Sequence, residues 1–78
     1  MTNDRVNNTI VEIFKTNVYS QNRADVIIKK LEIIIPAAKI NFDLDDCDNI
    51  LRVQKDKPFD IQPIIELVKS EGFNCQEL

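Results

Sequence analysis

Across a single proline, Pro36, the apolar periodicity of this chain changes from helical to extended. On its N-terminal side Ala24, Ile27, Ile28, Leu31, Ile34 and Ile35 recur at helical spacing, with Asp25, Lys29, Lys30 and Glu32 on the other face. Val26 and Ile33 widen the stripe. The pattern predicts a helix over residues 23–35 whose Ile-rich face is core. Asn22 is the expected N-cap, with Asp25 three residues later where a carboxylate suits the helix dipole. Pro36 ends the helix because it has no N–H to continue the ladder. Beyond it, residues 38–45 alternate: Ile40, Phe42 and Leu44 on one side, Lys39, Asn41, Asp43 and Asp45 on the other. That is a strand with one buried face.

The rest of the chain falls into place around this helix and strand. Residues 1–9 form a polar lead-in, and residues 10–78 form one domain. Residues 10–16 are apolar and β-branched, a strand by composition, and residues 17–22 are a loop. The acidic stretch Asp46-Cys47-Asp48-Asn49 reads as a hairpin turn, with residues 50–54 as the returning strand. Asp60 caps a second helix that tolerates Pro63 in its first turn and buries Ile61, Ile64, Ile65 and Val68. Gly72 ends it in the left-handed conformation, and residues 73–78 make a short last strand with Phe73 and Cys75 toward the core. The order βαββαβ predicts an α+β ferredoxin-like sandwich, two helices on one face of a four-stranded antiparallel sheet. With Phe14 toward the helices, Val11, Ile13 and Ile50 fall on the open face among Lys39, Asn41 and Arg52. That face is a candidate patch for weak homodimerisation.

Composition narrows the function. The net charge is −3 without a cluster of Lys or Arg, which argues against nucleic acid as a partner. The chain has no histidine. It therefore lacks both the usual general base near neutral pH and the commonest zinc ligand. Its carboxylates and lysines form no catalytic constellation, so a non-enzymatic domain is expected. No apolar run approaches the roughly 18–20 residues that span a bilayer, and the polar start does not resemble a secretory leader. The expectation is a cytoplasmic chain with no membrane insertion, a monomer or weak homodimer, and Cys47 and Cys75 as free thiols. The acidic run from Asp43 fails as an EF-hand, since Asp48 and Gln54 occupy the positions that need Gly and Glu.

Element order, the position of the first βα loop and the ending Glu71-Gly72-Phe73 resemble the heavy-metal-associated domain of small copper chaperones and copper-transporting ATPases. That family carries a Met-x-Cys-x-x-Cys loop, which this chain lacks. Val18 falls where the methionine would sit, Ser20 at the first cysteine and Arg23 at the second. A hydroxyl is a poor ligand for a soft cation and a guanidinium repels one, so neither metal nor other cofactor is expected there. The resemblance implies a protein-docking end formed by Tyr19, Ser20, Arg23, Asp46, Cys47 and Phe73. Ser20, Asn22 and Arg23 also make a candidate anion site at the helix start. The alternative is a soft-metal binder using Cys47, with Cys75 or a second chain. A regulatory module of the ACT kind shares the topology but needs a glycine-containing ligand loop, and Gly72, the single glycine, already serves a helix end.

Overall fold

The computed structural model describes residues 9–78, so the lead-in lies, except for Thr9, outside the described residues. Six elements follow in the expected order: β1 (Ile10–Thr16), α1 (Gln21–Ile34), β2 (Lys39–Asp43), β3 (Ile50–Lys55), α2 (Gln62–Ser70) and β4 (Cys75–Glu77). The sheet runs β2-β3-β1-β4 with every pair antiparallel. Register places Phe14 opposite Leu51, and Leu51 opposite Phe42. The helix-facing residues of the central strands thus fall into line. Phe14, Leu51 and Val53 meet Ala24, Ile27 and Leu31 of α1 and Ile64 and Val68 of α2, all fully buried. Ile40, Phe42, Ile61, Ile65 and Phe73 close the margins of this core. Each fully buried aliphatic or aromatic side chain stabilises the fold by about 1.5–3 kcal/mol.

The helix ends show where local chemistry sets the boundaries. Ser20, not Asn22, is the N-cap of α1: its backbone is extended (φ −109°, ψ 130°) and its hydroxyl accepts the Arg23 N–H at 3.4 Å. Asn22 consequently lies inside the first turn. At α2 the cap position is Ile61, but Asp60 still supplies the bond, its carboxylate accepting the Gln62 N–H at 3.0 Å. The other end closes as a Schellman motif. Gly72 N–H donates to the Lys69 carbonyl at 2.9 Å and Phe73 N–H to the Val68 carbonyl at 3.3 Å, with Gly72 at φ +94°.

Two packing expectations need correction. Val26, Ile33 and Ile34 are exposed and do not join the core. Only the row Ala24, Ile27, Leu31 and Ile35 is buried, because a helix laid on a small sheet turns one stripe inward. Ile50 shares the open face with Arg52 and Gln54, yet it is buried. Lys15, on that same face, reaches Asp48 at 3.7 Å just before β3, and a lysine stem covers apolar surface well. The open face therefore keeps Val11 exposed and Ile13 half-buried, without Ile50. Strand β2 also stops two residues early, since the Asp43 carboxylate accepts the Asp45 N–H at 3.2 Å and starts the turn. Strand β4 is likewise confined to three residues.

Two backbone positions yield a paired prediction. A Cβ at Gly72 would meet nothing within 4 Å, so Gly72→Ala carries only the left-handed backbone cost, about 1 kcal/mol of lost stability. Ala37 already bears that cost, at φ +67° after Pro36. Ala37→Gly is expected to be neutral or stabilising by up to about 1 kcal/mol, since glycine's larger unfolded-state entropy offsets part of the relief. Denaturant melts of both variants against the parent check the opposite signs.

Candidate docking end and metal-ligating residues

Three loops converge at one end of the sheet, and hydrogen bonds fasten them together. The Thr16 side chain, buried at the end of β1, donates to the Asn49 carbonyl at 2.6 Å and accepts the Val18 N–H at 3.2 Å. Thr16 N–H donates to the Asp48 carbonyl at 3.1 Å. The Asn49 amide returns the connection by donating to the Val18 carbonyl. Asn49 sits at φ +45°, a left-handed conformation that asparagine tolerates. On the other side Asn17 accepts the Asn74 N–H at 2.7 Å. The β1–α1 loop is therefore fastened to both the β2–β3 hairpin and the α2–β4 loop.

The structure divides the six expected docking residues into two groups. Tyr19, Ser20, Arg23 and Phe73 form the first. The Arg23 guanidinium lies 5.6 Å from the Phe73 ring centroid, and Tyr19 meets that ring edge-on at 6.3 Å and 73°. Glu71 holds the arginine, with its carbonyl 3.2 Å and its carboxylate 3.9 Å from Nη2. The same carboxylate accepts from Lys30 at 2.6 Å. Tyr19 is left 78% exposed. Asp46 and Cys47 form the second group, at the hairpin tip with Asp48. Asp46 accepts the Asp48 N–H at 2.8 Å, and Cys47 is exposed.

The first-loop side chains have these surroundings. Val18 is fully buried, a core plug and not a surface ligand. Ser20 is committed to its cap and Arg23 to Glu71 and Phe73, so the loop offers no pair of soft donors. At the candidate anion site the Arg23 guanidinium has the Glu71 carboxylate 3.9 Å away. At the hairpin, one ligand atom each from Asp46, Cys47 and Asp48 lie within 4.8 Å of one another. Cys75 does not join them. It pairs with Thr16 on the β4 side of β1, while Asp48 and Asn49 bond Thr16 from the β3 side. The intervening strand keeps the sulfurs apart, and both thiols are free.

A search of solved structures finds the yeast copper transporter domain CCC2A, determined in its apo and Cu(I)-loaded states. The match has a TM-score of 0.73 at 20% identity and covers 87% of this chain and 93% of that one. The two share one fold. No family model matches the chain, and no curated protein matches it in sequence. Among the described residues no helix is long and apolar enough to cross a membrane. At the opposite end of the sheet a shallow hollow of about 260 Å³ is lined by Thr9, Ala37, Lys39, Gln54, Lys55 and Asp56. It is smaller than the roughly 300–1,000 Å³ of typical ligand pockets.

Sequence reading missed Thr16, Asn17, Asn49 and Glu71, which build this end. Asn49 alone carried a local signal, as an asparagine closing an acidic turn.

The two thiols are expected to behave differently. Burial pushes the Cys75 thiol up to about 11 from the ordinary 9.0, although Lys69 pulls it partly back. Folded protein should therefore lose one thiol, Cys47, to an alkylating reagent at neutral pH, and Cys75 only on unfolding. The folded Cys75 holds its proton longer than the unfolded one. Its contribution to stability is intact below pH 9.0 and is lost as pH rises toward about 11. Mass spectrometry after labelling checks the first outcome. Denaturation of the parent and Cys75→Ala across that interval checks the second, the variant losing less stability.

Proposed function

We propose that this chain is a non-enzymatic docking domain that engages a protein partner through the end carrying Tyr19, Ser20, Arg23, Asp46, Cys47 and Phe73. The observation that carries the reading is Tyr19, 78% exposed and stacked edge-on against a ring that Arg23 also covers. Aromatic and arginine side chains dominate binding energy at interfaces. Here they are held before any partner arrives, which lowers the entropy lost on association. Glu71 answers both Arg23 and Lys30, so the patch does not select for acidic partners. Asp46 at the rim favours a partner with a basic fringe.

A second reading, soft-metal binding at Cys47, has its own observation. An exposed sulfur lies with two carboxylates whose ligand atoms fall within 4.8 Å, on a fold shared with a domain that carries Cu(I). It offers one soft donor against two hard ones, a poor match for Cu(I) unless a second chain supplies another sulfur.

Site-specific photo-crosslinking in cells tests the docking reading. A probe at Tyr19 is expected to capture a discrete partner protein, and a probe at Lys57, on the far end, is not. With the captured partner purified, Tyr19→Ala should weaken binding by about 10-fold or more. Equal capture from both probes, or no capture from either, would remove this reading. For the metal reading, reduced protein is titrated with Cu(I) against a chelator, alone and as Cys47→Ser. Uptake that vanishes in the variant supports it, and no uptake removes it.

A further inference from the structure

We propose that β2 is a self-pairing edge, and that two copies of this chain join β2 to β2 antiparallel into one eight-stranded sheet. Among the described residues, strand β2 (Lys39-Ile40-Asn41-Phe42-Asp43) is at one margin of the sheet, hydrogen-bonded to β3 on its other side. Such an edge presents unpaired backbone groups to a second strand. Its sequence is complementary to its own reversal about Asn41. Antiparallel pairing places Lys39 opposite the copy's Asp43, Asn41 opposite Asn41, and Ile40 opposite Phe42.

Each row gains from this pairing. Lys39, Asn41 and Asp43 are exposed on the open face, and two Lys–Asp pairs replace isolated charges there, a favourable cross-strand match. Asn41 accepts from Arg52 at 3.5 Å on the inner side and keeps its amide N–H₂ for its counterpart across the two-fold axis. On the helix side Ile40 and Phe42 are only half-buried at the rim of the core. The copy supplies the apolar neighbours they lack, and α1, which packs over β2, comes alongside its equivalent.

The opposite edge does not share these properties. β4 has three residues, and its Glu77, paired with Phe14, is a carboxylate neighbour of Glu12, whose carboxyl is raised first by desolvation and then by that neighbour. A second copy there would add like charge. A lone lysine on an edge normally discourages pairing. On β2 the aspartate four residues away converts it into a register lock. This surface is separate from the proposed docking end, so either reading stands or fails without the other.

Five-residue edges bury well under about 1,200 Å², so the dimer is weak and forms toward millimolar concentration. Sedimentation of the full chain up to about 1 mM is expected to show a monomer–dimer equilibrium that high salt weakens. Lys39→Asp, which leaves the Asp43 turn bond intact, should weaken it by about 10-fold or more by setting like charges opposite each other. Mixing Lys39→Asp with Asp43→Lys should restore association, because each charge then meets its opposite. A monomer at about 1 mM would overturn the proposal. So would a dimer indifferent to Lys39→Asp, or concentration-dependent amide shifts centred on Val11 and Ile13 instead of β2.

Discussion

The arrangement of the loop end depends on the Thr16 hydroxyl. It donates to Asn49 and accepts from Val18, so one buried oxygen sets the distance between the first βα loop and the β2–β3 hairpin. A hydroxyl suits this place because it can donate and accept at once. Its partners are backbone groups that would otherwise be buried without satisfaction, which costs about 1–3 kcal/mol for each. Asn49 reinforces the link by returning a bond to the Val18 carbonyl. Remove this fastening and Val18 has no fixed position from which to plug the core, and Ser20 none from which to cap α1.

The capping serine and first-turn arginine give the loop a different chemistry from a thiolate pair. A metal-gripping loop needs donors that stay available at the surface. Here Ser20 turns its oxygen to a backbone N–H, and Arg23 turns across the α2–β4 loop to Glu71 and Phe73. Both side chains are used to bind the domain to itself. Glu71 is central to that exchange, accepting from Lys30 on one side and facing Arg23 on the other. Its side chain is only 15% exposed, so these cations are screened less than typical surface pairs.

Much of this could be read from the residues in order. β1 begins and ends where its β-branched run does; Pro36 marks a helix end because it lacks the N–H and fixes φ, and Gly72 because it takes the positive φ that other residues avoid. What escaped was of two kinds. Some signals were ambiguous: Ser20 and Asn22 are comparable caps, and an Ile-rich helix offers more apolar faces than a small sheet can cover. Others have no local trace. Glu71 meets Lys30 and Arg23 across 41 and 48 residues of chain, and no spacing rule reaches that far. The same distance hid the separation of Cys47 from Cys75, which only strand order reveals.

The proposed pairing has a consequence for the proposed docking end. A two-fold axis through Asn41, perpendicular to the sheet, reverses one copy's strands relative to the other's. The hairpin tip follows β2 directly, so the two tips, and with them Tyr19 and Phe73, leave the dimer in opposite directions. Such a dimer cannot place both ends on one small partner, and gains no avidity from doing so. It can hold two partner molecules apart on a rigid sheet, or bind repeated sites on one extended assembly. Edge pairing and end docking together thus specify a spacer between partners, whereas pairing through the open face would leave both tips free to converge.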